Sequence, residues 1–323
     1  MQKIILSLTA LVILVACGAR GGQAVASGPD VDSPVAPRVA FSADSAYNYV
    51  RRQVEFGPRV PNTDAHRRAG DWLVSELRRH GAEVTEQKMT LTAFDGTRLD
   101  TRNIMGRYLP DAEERMLFVA HWDCRPWADQ DPDPDKASRP VDGANDGASG
   151  VGVLLEMARL LGANSPSVGV DILFVDAEDW GSDGDEDSWA LGAHYFVGNP
   201  MFPGYRPSSV IVLDMVGGRN SRFPREYFSQ QSDPALLDRI YSTAAAAGFA
   251  DRFPNEMGGA VTDDHLAFIK AGIPAVDIID YRPDTGFFPA WHTGLDTMDQ
   301  IDSESLRAVG QTMINLLFPP EQK

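Results

Sequence analysis

Five residues set the chemistry of this chain. His121, Asp146, Asp179, Asp214 and His292 each fall at the end of a strand-like run or in the loop after one. Imidazole nitrogen and carboxylate oxygen are donors that zinc accepts, and a catalytic zinc site keeps one coordination position open for substrate. Taken singly these residues say little, because a strand-end Asp is most often a turn or cap residue. Four successive strand ends that deliver acid or imidazole to one rim say more. Ligands of open α/β sheets gather beyond the carboxyl ends of the strands. The pattern points to a hydrolytic type of zinc centre.

The elements that must position them alternate along the chain. The turn Gly143-Ala144-Asn145-Asp146-Gly147-Ala148-Ser149-Gly150 leads into an apolar helical run from Val151 to Leu161. Upstream, the apolar strand 116–120 ends in His121-Trp122-Asp123, and downstream 170–175 ends in Asp176-Ala177-Glu178-Asp179-Trp180. Further strands are expected at 209–215 and 274–279, and helices at 42–56, 64–80, 191–195, 234–247, 264–271 and 303–317. Residues 83–94 and 97–108 alternate apolar and polar around Asp95-Gly96, the signature of an antiparallel pair. Strands that alternate with helices predict an α/β fold, a three-layer sandwich with a mixed, mainly parallel central sheet.

Composition bounds the rest. The 323 residues are 43% hydrophobic, enough for one large α/β domain, expected over residues 41–320. Residues 1–16 read as a signal: Lys3, the short apolar run Ile4 to Val15, and then Ala16. Leu14-Val15-Ala16-Cys17 resembles a bacterial lipobox, with Cys17 the lipidation site and residues 17–40, rich in Gly, Ala, Ser and Pro, a flexible tether. That places the protein in a bacterial cell envelope, lipid-anchored, with the uncharged residue after Cys17 fitting an outer membrane that it faces from the periplasm. Cys124 is then the one free thiol, without the surroundings of a cysteine nucleophile. The net charge is −17, and losing Lys3 leaves 28 basic against 46 acidic residues, −18. Such a balance excludes nucleic acid and an anionic membrane face as partners. The acidic stretches Asp129–Asp135 and Asp183–Asp187 read as solvated loops.

The set His121-Trp122-Asp123, Gly143-Ala144-Asn145-Asp146, Glu178-Asp179-Trp180, Leu213-Asp214-Met215, Thr262-Asp263-Asp264-His265 and Trp291-His292-Thr293 resembles the animal-type glutaminyl cyclases and their bacterial relatives. These share the fold of the di-zinc aminopeptidases, the phosphorylase/hydrolase-like sandwich. The resemblance runs from about residue 42 to 318. It implies that Asp146, Asp179 and His292 hold one zinc, that Glu178 is the general acid/base, and that Asp214 and Asp263 are paired carboxylates beneath the site. It also implies a pocket walled by Trp180, Trp291 and Phe287 or Phe288. Two departures stand out: Asp179 replaces a Glu, and Asp277 occupies the place of a His behind the site.

Cyclising an N-terminal glutamine needs its γ-carboxamide polarised, its α-amine deprotonated and its ammonia protonated on leaving. A Lewis-acid metal serves the first need. One buried carboxyl able to take and return a proton serves the other two. The rival reading is a di-zinc aminopeptidase, in which His121 and Asp214 hold a second ion. Asp263, where such peptidases usually carry Ser, together with Trp180 and Trp291, favours the cyclase. A catalytically dead envelope domain is the non-enzymatic alternative, and intact ligands and base argue against it. The expected substrates are peptides or exported proteins with N-terminal Gln, and the chain is expected to be a monomer.

Overall fold

The computed structural model describes residues 36–320, so the signal-like run, Cys17 and most of the tether lie outside the described residues. In chain order the elements are α1 (Ala43–Val54), α2 (Asp64–Arg79), β1 (Glu83–Thr92), β2 (Arg98–Tyr108), β3 (Arg115–His121), α3 (Ala148–Ala163), β4 (Gly169–Val175), α4 (Leu191–Gly198), β5 (Ser209–Asp214), α5 (Tyr227–Ser232), α6 (Pro234–Ala246), α7 (His265–Lys270), β6 (Ala275–Ile279), β7 (Tyr281–Arg282), β8 (Gly286–Phe287) and α8 (Ser303–Leu317). The six-stranded sheet has the order β1-β2-β4-β3-β5-β6. Its pairs β3–β4, β3–β5 and β5–β6 are parallel, whereas β1–β2 and β2–β4 are antiparallel. This is the expected mixed sheet. Helix α5 and the β7–β8 hairpin are additional; six residues and two-residue strands are too short to show a period.

Alternation along the central strands builds two cores. Phe118 and Ala120 of β3 join the larger one, with α1, α2, α3, α6 and α8, while Leu117 and Val119 face α4 and α7. Every residue of β3, β4 and β5 is buried, as strands covered on both faces require. Thirteen of the sixteen residues of α3 are buried, so this helix needs no polar face. Each fully buried Val or Leu there contributes about 1.5–3 kcal/mol relative to exposure. The chain enters the core at Val39 and Phe41, where Gln311 of α8 bonds the backbone at both residues.

One glycine decides how the sheet meets α3. A Cβ at Gly150 would stand 2.1 Å from the Leu213 carbonyl oxygen. Its absence lets the first turn of α3 lie directly on β5. That contact brings the Asp146 turn beside the Asp214 end of β5.

Candidate active site

The donors converge because their elements stop on one rim. Strand β3 ends on His121 and β5 on Asp214; Glu178 and Asp179 follow β4, Asp146 precedes α3, and His292 lies in the loop before α8. Two buried carboxylates fix the ligand-bearing turns. Asp123 accepts the backbone N–H of Glu178 and of Asp179, both at 3.2 Å. Asp296 accepts those of Asn145 and Asp146 at 2.8 and 3.0 Å. Asp296 is unmarked in the sequence, and Asp123 stands there only as part of the His121-Trp122-Asp123 run, with no role of its own.

Asp146, Asp179 and His292 place donor atoms within 4.8 Å of one another, all buried. His292 Nε2 lies 3.1 Å from Asp179 Oδ1 and 3.7 Å from Asp146 Oδ2. Both Asp179 oxygens lack a hydrogen-bond partner although the residue is 1% exposed. A buried carboxylate left this bare is costly unless a cation completes it. Two carboxylates and one imidazole around an open position are a donor set that fits zinc.

A second group, His121, Asp146 and Asp214, adjoins the first. His121 Nε2 lies 3.1 Å from Asp146 Oδ1 and 3.2 Å from Asp214 Oδ1, and its Nδ1 lies 3.5 Å from Asp123. Burial opposes charge on this imidazole, but the three carboxylates outweigh burial and hold its pKa well above the ordinary value.

Above the ligands, Glu178, Asp214 and Asp263 line one cavity of about 250 Å³. Burial, and then Asp179, Asp263 and Asp264 against the opposing pull of His121, hold the Glu178 carboxyl well above its usual range. Asp263 is pushed up to about 6 by burial and by Asp214. Its close neighbours are His265 and Asp277, with donor atoms within 4.8 Å. Burial and Asp263 in turn raise Asp277 well above normal. Asp214 raises Asp263, so the expected pair is one part of a larger cluster of carboxyls that includes Asp277. Asp214 bonds His121, and the carboxyl lying against Asp263 is Asp277.

The cavity wall also differs from expectation. Trp291 and Phe287 line it as anticipated, together with Trp189 and Tyr281. Trp180 does not. Trp180 packs away from the ligands in the loop after β4, edge-on to Trp127 at 5.7 Å and near Ala93, Leu99 and Ala177. Phe288 likewise is packed behind the wall with Met215, Val261 and Ala290. Trp189 takes the place intended for Trp180 and stacks on His292 at 5.9 Å and 18°. Its one sequence signal is an aromatic residue at the end of the polar stretch 181–188. Gly181 makes room for it, since a Cβ there would fall 2.0 Å from the indole.

Three non-glycine residues of the rim hold left-handed backbone: Ala177 (φ 54°), Met215 (φ 48°) and His292 (φ 53°). Each costs about 1–2 kcal/mol relative to a relaxed residue. They lie just before Glu178, just after Asp214 and at a ligand itself.

The sequence pattern of peptidase family M28 matches residues 103–317, well over half of the chain. The chain belongs to peptidase family M28. Within solved M28-type structures it is similar to the glutaminyl cyclase of Porphyromonas gingivalis, with 50% identity, TM-score 0.85, and 86% of this chain and 98% of that one covered. It is similar also to the glutaminyl cyclase of Bacteroides thetaiotaomicron bound to N-acetylhistamine, with 46% identity, TM-score 0.86, and coverage of 88% and 100%. Aminopeptidase YwaD of Bacillus subtilis is 26% identical over 82% of this chain. The chain spans 55% of that relative's length and 62% of the bovine glutaminyl-peptide cyclotransferase.

Proposed function

We infer that this M28 chain is a zinc-dependent glutaminyl cyclase that converts N-terminal glutamine of peptides to pyroglutamate and releases ammonia. The observation that carries the reading is a pair of carboxyls with raised proton affinity, Glu178 and Asp263, facing an aromatic-walled cavity beside the metal triad. Whole-chain similarity to two solved cyclases supports it.

Asp146, Asp179 and His292 would hold the zinc, which when bound polarises the γ-carbonyl oxygen of the substrate. The remaining work falls to the chain. Six acids and no Lys or Arg line the cavity, which suits a substrate that arrives with an α-ammonium group. Glu178 takes one proton of that group, and the freed amine attacks the γ-carbon. Glu178 returns that proton to the amide nitrogen so that the C–N bond breaks and ammonia leaves, and the second proton of the new ring nitrogen passes to solvent. Asp263, raised by burial and by Asp214 and lying against Asp277, is the carboxyl placed to donate a hydrogen bond to the substrate amide in its protonated form. Trp291, Phe287, Tyr281 and Trp189 exclude water around the glutamine side chain.

One ion per chain is the expected content. His121 Nε2 lies 3.1 and 3.2 Å from Asp146 and Asp214 and so contacts the two carboxylates that a second ion would need. The aminopeptidase reading keeps support from aminopeptidase YwaD. A Gln-initiated peptide incubated with purified protein separates the two by mass spectrometry. Loss of one ammonia with every residue retained is expected; release of the terminal residue would establish the peptidase instead.

Trp189→Ala is expected to lower kcat/KM by about tenfold or more, a barrier increase of about 1.4 kcal/mol or above. Trp180→Ala, outside the cavity, should stay within about twofold by the same comparison of barriers. Steady-state kinetics on one Gln peptide checks both. In the cell, the lipobox-like Leu14 to Cys17 motivates a further proposal: acylation of Cys17 anchors the enzyme in the envelope, in the outer membrane facing the periplasm. Cys17→Ser should move it from the membrane to the soluble fraction, and fractionation that stays unchanged would overturn the anchor.

A further inference from the structure

One buried cation touches the Asp179 loop directly and the His292 loop through a carboxylate, without being a ligand. Arg125, 2% exposed, follows β3 in the loop that runs beneath the cavity. Its Nη1 donates to the carbonyl oxygens of Asp179 (3.0 Å) and Gly181 (2.9 Å) and lies 3.7 Å from Asp179 Oδ1. Its Nε and Nη2 donate to the two oxygens of Asp129 at 3.2 and 2.5 Å. Asp129 Oδ1 in turn lies 3.4 Å from His292 Nδ1, and the backbone N–H of Gln130 donates to the His292 carbonyl at 3.1 Å. The guanidinium carbon stands 4.7 Å from the ring centre of Trp189 and 4.9 Å from that of Trp127.

We propose that Arg125 and Asp129 form a positioning clamp that presets Asp179, His292 and Trp189 for the metal and substrate. The clamp rests on the ligand assignment made above. Geometry alone calls for such a clamp. Asp179 and His292 come from loops more than a hundred residues apart, and His292 carries a left-handed backbone that gains nothing from local preference. Arg125 holds the first loop by two carbonyls and the second through Asp129. The chemistry of the imidazole calls for it as well. A carboxylate on Nδ1 keeps the proton there and turns Nε2 toward Asp179 and Asp146 as a free donor. Arg suits the centre because its planar fork grips a carboxylate with two bonds while its faces stack on indoles. A buried guanidinium kept only for stability would not need its partners to be the two loops that carry ligands.

Arg125→Met fills the space between the indoles without the fork, Arg125→Lys keeps the charge alone, and Asp129→Asn removes the charge facing His292. Zinc affinity of each full-length protein is measured by competition with a chromogenic chelator, alongside thermal melting of the metal-free form. Losses of partners that orient metal ligands run to about 10–100-fold in affinity. We expect that range for Arg125→Met and Asp129→Asn, incomplete recovery in Arg125→Lys, and a double variant no weaker than the worse single, because both act on His292 through one chain of contacts. Zinc affinity within twofold of the unmodified protein in the folded variants overturns the clamp, whatever happens to melting. If Arg125→Met does not fold, the surface-reachable Asp129→Asn decides by the same criterion. Asp179→Ala, run in parallel, separates the two readings. Zinc lost there but unchanged in the clamp variants overturns the clamp alone; zinc retained there overturns the ligand assignment and the clamp with it.

Discussion

Glu178→Gln is expected to keep its zinc and to lose about 10²–10⁴-fold in turnover, the range for removal of a general acid/base. The substitution preserves shape, and the backbone N–H of residue 178 remains bonded to Asp123. What disappears is a group able to take the ammonium proton and return it. The residue is 8% exposed and faces the cavity, so bulk water does not readily replace it. Ammonia release under saturating peptide gives the turnover, and metal analysis on the same sample gives the zinc. A metal-replete Glu178→Gln protein with undiminished turnover would assign proton transfer elsewhere, with Asp263 the next group to test.

Asp179→Ala is expected to abolish the bound metal and lower activity by at least about 10³-fold, since Lewis-acid polarisation supplies several kcal/mol of transition-state stabilisation. Asp179 offers two bare oxygens, whereas Asp214 is already bonded to His121. Asp214→Asn should therefore keep the one ion while slowing turnover. Metal analysis showing two ions in the unmodified chain, one of them lost in Asp214→Asn, would place a second zinc at Asp214 and favour the peptidase.

The rim of ligands was legible because strand ends are. Apolar runs bounded by His121, Asp179 and Asp214 can only be central strands, and a parallel sheet puts their carboxyl ends on one side. Loop residues gave no such handle. Trp180 was misplaced because sequence adjacency to a ligand says nothing about which side of the backbone a ring leaves, and Trp189 is brought back by a glycine-containing loop that has no period. The roles of Asp123, Asp296 and Arg125 are hidden in the sequence for a related reason. Their work is done on backbone groups of distant turns, and that pairing exists only after the sheet has formed. Phe287 and Phe288 could not be separated in the sequence, since the β7–β8 hairpin that sends one inward is two residues wide on each side.

The left-handed backbone at Ala177, Met215 and His292 has a consequence for anyone who would engineer this enzyme. A search for thermal tolerance guided by local backbone preference would choose these positions first, because glycine relieves each of them. Yet they are the joints that aim the base, the His121 partner and one metal ligand. Relaxing them trades turnover for melting temperature, so heat-stable versions are better sought among packed residues away from the rim.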